Sequence, residues 1–357
     1  KLVIRGTVTT ASHVHQTSPD AKGKGIHIRT NMAVNGALVR DIPYITANSV
    51  RGLIRRAAGD HVIECLAKRG IQISRNLYLS IYRGTFGRTA LDAGGATCTE
   101  AAAAAKHVFA GLFGGGARMF RSPWRITRDL IPVLECTKAT MPMRVHEQAL
   151  AASPSEILVT TLMAPRDDFA RLPQSARLSV ADLDSEYTEH MAKKQAERQQ
   201  NMGADGNEKE SKDDLDNFAT SQCIIAGVPL VFDIQTDDIT EAQAGMLLTA
   251  LHRWVNKNAL GGGSVRGRGA FIPDLSLWVD GNKVVDPLFI NEAPMLEFVA
   301  HPIIAACLHE CAVELEDDLF AKLNIAFPSN TVALEEKLKK KADKAAAKSK
   351  PAESSEQ

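Results

Sequence analysis

Apolar and polar side chains alternate through residues 1–10 (KLVIRGTVTT) and again through 26–30 (IHIRT), the period of strands with one buried face. Between them, residues 16–25 carry Ser18-Pro19 and Gly23-Lys24-Gly25, which predicts a hairpin with a basic tip. From Ser49 the period changes. Val50, Leu53, Ile54, Ala57, Ala58 and Val62 fall on one helical face, with Asn48 or Ser49 as the expected N-cap. The alanine-rich stretch 100–109 predicts a second helix, ended by the glycine tract at 111–116. Residues 131–136 and 157–162 are strand-like, as is 223–238 with a turn at Gly227-Val228-Pro229; a helix is expected over about 241–257, then a loop through 260–271 and another strand. The overall expectation is an α+β fold.

Two segments break the apolar pattern. The window 181–220 holds 11 acids against 5 bases and predicts a mobile acidic insertion. The tail 336–357 is charged and of low complexity, which predicts disorder and leaves 1–335 as one domain.

With 357 residues and 45% hydrophobic content, the chain can bury a substantial core. It has no apolar run of the roughly 20 residues needed to span a bilayer, and it starts like a strand, so a cytoplasmic location without membrane contact is expected. Six irregularly spaced cysteines fit a reducing compartment and read as mostly buried thiols. The formal net charge is zero, yet residues 1–150 carry 21 Lys plus Arg against 9 Asp plus Glu, leaving 21 against 33 for the rest. A polyanion is drawn to the first part, and the acidic remainder either limits indiscriminate binding or meets the basic part of a neighbouring copy.

The most informative segment is Leu260–Phe271 (LGGGSVRGRGAF). Its five glycines let another backbone approach, and Arg266 and Arg268 supply phosphate donors. Read alone, it is equally an ordinary helix-to-strand turn. Preceded by an apolar strand and a helix, it closely resembles the C-terminal glycine-rich signature of the RAMP superfamily of CRISPR-associated proteins. Pro43-Tyr44-Ile45 with Asn48-Ser49-Val50-Arg51-Gly52 is similar to that superfamily's first signature, and Leu112-Phe113-Gly114 to its next. Three signatures in order over residues 43–271 make the resemblance specific to the backbone subunits that polymerise along CRISPR RNA, the type IV subunit most of all and the type III subunit next.

The resemblance implies a modified RRM-like, ferredoxin-like core with finger and thumb insertions, and a non-catalytic role in antiviral defence. The implied partners are a CRISPR guide RNA, a complementary target nucleic acid, further copies of the chain head to tail, and other effector subunits. A scaffold that accepts any guide must hold phosphates and leave base edges alone. The candidate contacts are Ser49, Arg51 and Arg55 at the first helix, where the helix dipole adds attraction for anions, together with Arg29. Gly262, Gly263, Ser264, Arg266 and Arg268 would meet the same backbone from the glycine loop. Arg118, Arg121 and Arg125, with Arg128, are interleaved with Phe120 and Trp124, a pattern of phosphate donors and flat surfaces that is also open to a core reading. Lys138 and Arg144 flank Met141-Pro142-Met143, either a thumb tip or ordinary packing.

Type III relatives cut target RNA with an aspartate in the loop before the first helix. Asn35 matches that position here, and an amide is neither a general base nor a carboxylate metal ligand. Asp41 lies nearby and is the alternative carboxylate, in a metal-dependent endoribonuclease reading. His13 and His15 alternate on or near a strand and are either surface or RNA-contact residues or, in the enzyme reading, a pair for acid-base RNA cleavage. Cys307 and Cys311 read as residues of a buried helix, and no phosphate-loop pattern implies a nucleotide cofactor.

Overall fold

The computed structural model describes residues 1–18, 25–73, 75–84, 98–115, 120–163, 192, 219–262, 267–292, 295–317 and 319–326. Strand β1 (Leu2–Thr10) is central to a five-stranded antiparallel sheet. One neighbour is β7 (Pro229–Thr236) and the other β8 (Phe271–Val279); β4 (Trp124–Ile126) borders β7, and β9 (Asn282–Val285) borders β8. Helix α1 (Ala47–Lys68) joins β1 to β4, and helix α5 (Glu241–Lys257) joins β7 to β8. Counting β1, β4, β7 and β8 as strands one to four gives the spatial order 2-3-1-4 with a helix after the first and the third. That is the ferredoxin-like, RRM-like arrangement, so the expected α+β core is present.

The alternation seen in the sequence is what seats this core. Leu2, Ile4 and Val8 face the helices, as do Phe232 and Ile234 of β7 and Leu275 and Leu277 of β8. They bury against Val50, Ile54, Ala58 and Val62 of α1 and Leu247, Leu251 and Trp254 of α5. At ~25 cal/mol per Å² of apolar area, such burial dominates the stability of the fold. Helix α5 opens with a capping box, Thr240 and Gln243 each bonding the other's backbone, and closes on Asn258 in the left-handed region. Asn258 Oδ1 accepts from the Phe271 amide at 2.6 Å, so the end of the helix is tied to the start of β8 across the glycine loop.

The remaining elements are insertions and additions. Strands β2 (Arg29–Val34) and β3 (Ala37–Pro43) form an exposed hairpin. Between α1 and β4 lie α2 (Arg75–Arg83), α3 (Cys98–Lys106) and α4 (Ala110–Phe113). After β4, residues Lys138–Thr140 and Met143–Gln148 form 3₁₀ turns. After β9 come the hairpin β10 (Phe289–Glu292) and β11 (Met295–Phe298), then α6 (Pro302–Glu316) and α7 (Leu319–Ala326). Helix α6 buries Cys307 and Cys311. It approaches α5 so closely that a Cβ at Gly245 would stand 1.9 Å from the Cys307 carbonyl oxygen.

These contacts belong to a unit of residues 1–16, 28–158 and 224–357; a second unit comprises 17–27 and 159–223. The ribbon of β5 (Leu158–Met163) and β6 (Ala219–Ile224) accounts for most of the second unit's regular structure among the described residues. Most of the acidic window 181–220, the tip of the predicted first hairpin and the tail 336–357 lie outside the described residues.

Several expectations are corrected. β1 pairs with β7 and β8 rather than with residues 26–30, because strand partners are chosen by the core and not by proximity in sequence. Residues 26–28 instead close locally, through the Thr17–His27 bridge. Residues 131–136 make single bridges from Pro132 to Leu230 and from Leu134 to Leu150, not a strand. Of the six cysteines, Cys223, Cys307 and Cys311 are buried, whereas Cys98 is exposed and Cys65 and Cys136 are half-buried.

Candidate nucleic-acid interface

Thr46, not Asn48 or Ser49, caps α1: its side chain accepts from the Ser49 amide at 3.3 Å. Gln16 holds the cap in place, accepting from the Thr46 amide at 3.0 Å and donating to its hydroxyl at 2.8 Å. The Ala47 amide donates to Asp129 Oδ1 at 2.7 Å. The positive end of the helix is therefore already matched by a carboxylate, and the expected dipole attraction for an external anion is corrected on that ground.

Arg51 follows in the next turn, with its guanidinium 5.4 Å from the ring centre of Trp124. Burial lowers its pKa, but Arg51 makes no ion pair with any described residue. Arg56 is exposed and likewise unpaired among the described residues. Arg55 differs. Its Nε donates to Ile81 O (2.7 Å), Nη1 to Phe113 O (2.7 Å), and Nη2 to Ser80 O (2.6 Å) and Gly114 O (3.0 Å). Burial, with the charge of Arg51 second, pushes it down to about 10. Four of its five N–H groups are spent on carbonyls at the ends of α2 and α4, where helix geometry leaves the last carbonyls short of donors; of the four, Ser80 O also accepts the Gly84 amide at 3.1 Å. The expectation of Arg55 as a phosphate donor is thus corrected: it fastens two chain ends together.

That fastening shapes a cleft of about 1040 Å³. One wall is the start of α1, from Asn48 to Arg56; another is the end of α2 with Tyr82, Arg83 and Gly84; the third is Phe113, Gly115 and the run Phe120–Arg125, with Gly261 at the edge. Six arginines line it (51, 55, 56, 83, 121 and 125) against one carboxylate, Asp237, which lies 3.9 Å from Arg121. Arg121 is 86% exposed and Arg125 is exposed, its Nη2 reaching Gln235 Oε1 at 3.4 Å. Trp124 is buried, only 2% exposed, so of the two readings of this cluster Trp124 takes the core one while the arginines beside it reach the cleft.

The glycine loop leaves from this edge. Gly261, at φ +71°, needs to be glycine because a Cβ there would lie 2.4 Å from the His15 carbonyl oxygen. The Gly262 amide donates to His15 O (2.7 Å) and the Gly269 amide to His13 O (2.9 Å), so both ends of the loop are pinned to the segment after β1. Gly263, Ser264 and Arg266 lie outside the described residues, as does Arg118. Arg268 is half-buried and does not line the cleft.

The other candidates sit elsewhere. Arg29 is 3.9 Å from Asp41, and Lys138 pairs with Glu135. Arg144 pairs with the buried Asp233, whose carboxyl is pushed up by burial and pulled down by Arg144, Arg128 and Arg5. Met143 is 83% exposed, but Met141 packs with Val133, Val145 and Val231. Asn35 and Gly36 form the two-residue turn of the β2–β3 hairpin, both at positive φ (49° and 80°). Asp41, at φ 56°, donates its amide to Asn31 Oδ1 at 3.0 Å beside a register shift in the hairpin. Arg83 and Tyr82 were not among the candidates; the i, i+4 pair Leu77 and Ile81 ahead of Gly84 is the signal for the helix that carries them.

No helix among the described residues is long and apolar enough to cross a membrane. No family model and no curated protein matches the chain. Among solved structures, the chain is similar to one named "Type IV-B CRISPR Complex", with 13% identity over 80% of this chain and 94% of that one, at a TM-score of 0.45.

Proposed function

We propose that this protein is a non-catalytic, guide-RNA-binding backbone subunit of a CRISPR effector ribonucleoprotein, assembling head to tail along the RNA with other subunits and pairing the guide with a target strand. The observation that carries the reading is convergence. Three segments that resemble the superfamily's signatures, 48–52, 112–114 and the start of 260–271, are far apart in sequence, yet all contribute to the lining of one cleft with six arginines and one carboxylate. A cleft of this charge, walled by guanidinium groups and glycine backbone, suits a sugar-phosphate chain of any sequence. Tyr82 and Phe120 in its walls favour a single strand, whose bases can lie on aromatic faces.

The test is the RNA that copurifies with the chain. A discrete guide-length species bearing a repeat-derived end is expected. Heterogeneous cellular RNA would indicate a general single-strand binder, and the absence of RNA together with no affinity for added guide would reject the proposal.

A further inference from the structure

The helices cover one face of the sheet, and the other face has a chemistry of its own. Trp124 and Ile126 of β4 are buried in the core, so Arg125 between them points to the opposite face. On that face Arg5 stands across from Asp233 of β7 and Ser276 of β8, and Arg125 across from Gln235. The 3₁₀ turn Met143–Gln148 crosses one end of it. There Arg144 takes Asp233, Gln148 Nε2 donates to Asp274 Oδ2 at 2.9 Å, and Met141, Val145, Val133 and Val231 form a small apolar cluster.

Among the described residues, the other end carries Arg5, Arg125, Gln235 and Trp278, grouped around Val3, which is only 6% exposed. Trp278 is fixed in place, its Nε1 donating to Ser276 Oγ at 2.9 Å and Ser276 Oγ donating in turn to the Arg5 carbonyl at 3.1 Å. The Arg5 guanidinium lies 5.4 Å from the indole centre. Among the described residues, both carboxylates of the face, Asp233 and Asp274, are engaged from the turn, so the excess charge at the other end is positive. Arg125 also lines the cleft, so the two surfaces share this residue.

We infer that the helix-free face is a second contact surface for single-stranded nucleic acid, on which Arg5 and Arg125 meet phosphates and Trp278 meets a base. This extends, and rests on, the RNA-binding reading of the cleft. A partly buried indole held by its own hydrogen bond, beside guanidinium groups, is a stacking platform tolerant of sequence.

Tryptophan emission reports on it directly, because Trp124 and Trp254 are fully buried while Trp278 is only partly buried. The full chain is titrated with a 20-nucleotide single-stranded RNA, following emission together with the anisotropy of labelled RNA. Quenching is expected, and Trp278→Phe should lose most of it and weaken binding several-fold. Arg5→Gln, which keeps a side chain over the indole, should lower the slope of log affinity against log salt by about one. If RNA binds and both variants keep wild-type quenching, affinity and slope, the inference is overturned while the cleft reading stands. If the wild type binds no RNA, both fail. If Trp278→Phe instead abolishes an RNA-independent association between copies, the face is a protein contact and the inference is overturned.

Discussion

Arg55 Nη1 donates to the carbonyl oxygen of Phe113 at 2.7 Å, so the helix opened by one candidate signature grips the end of the next. The same guanidinium takes Ser80, Ile81 and Gly114, and the cleft exists because these chain ends are held together. Arginine suits the task better than lysine: its planar group reaches several carbonyls at once and stays charged when buried.

Arg55→Ala should therefore lower the free energy of unfolding by about 3 kcal/mol, since it removes the donor from the Ile81, Phe113 and Gly114 carbonyls. Arg51→Ala with Arg56→Ala should change stability by less than about 1 kcal/mol but weaken guide binding equally for unrelated sequences, and reduce the salt slope by about two. Denaturant titration and salt-dependent binding separate the two. Equal destabilisation by both sets of variants would show that the division between fastener and contact is wrong.

Gly245→Ala tests the helix pair at the back of the sheet. In an exposed helix the change stabilises by about 1 kcal/mol. Here the added methyl would meet Cys307 O at 1.9 Å, so α5 and α6 must separate, and a loss of about 2–3 kcal/mol is expected from thermal or denaturant unfolding. A gain in stability would show that the two helices are not locked this closely.

His107 gives a pH dependence. Its Nδ1 accepts from the Phe109 and Ala110 amides, both at 3.0 Å, which requires a neutral ring. Burial, with the charge of Lys322 second, pushes its pKa down to about 4 from 6.5. The unfolded chain takes up a proton near pH 6.5 and the folded chain does not until about 4, so this contribution is complete above 6.5 and is lost as pH falls towards 4. The loss amounts to about 3 kcal/mol at 1.36 kcal/mol per unit. His107→Asn, which keeps an acceptor for the two amides, should flatten the stability profile between those limits. An unchanged profile would assign the acid sensitivity to another group.

Much of the sheet and both of its long helices were legible in sequence, because Ile4 and Val8 alternate and Val50, Ile54 and Ala58 recur at helical spacing. Hydrophobic period reports which face is buried; it does not report which strand lies alongside, so β1 lost its expected partner. The site was legible at the level of segments and less so at the level of roles. Arg51 and Arg55 are alike in sequence, four apart on one helix, and only the carbonyls waiting at the ends of α2 and α4 make one a fastener. The cap shifted for a similar reason: Thr46, Asn48 and Ser49 all suit the position, and a distant side chain, Gln16, decides among them.

The last prediction concerns chemistry on the β2–β3 hairpin. Asn35 occupies the first position of a two-residue turn at φ 49°, a conformation that asparagine and aspartate both tolerate, with Gly36 after it. Asn35→Asp should consequently leave the hairpin intact, so any change it produces reports on the carboxylate and not on folding. Complexes of the wild-type chain, given a complementary RNA and a divalent metal, are expected to hold the RNA without cutting it at regular intervals, because an amide does not act as general base or as an anionic metal ligand. Asn35→Asp is expected to introduce at most weak periodic cleavage, since one correctly placed carboxylate lacks the supporting geometry. Asp41 is the competing candidate. Its backbone is tied to Asn31 and its carboxylate faces Arg29 at 3.9 Å, which suits a residue that shapes the hairpin. Asp41→Ala should then alter hairpin stability and leave the RNA uncut, as in wild type. Periodic products from wild-type complexes that disappear in Asp41→Ala would reverse this assignment and make the protein a ribonuclease.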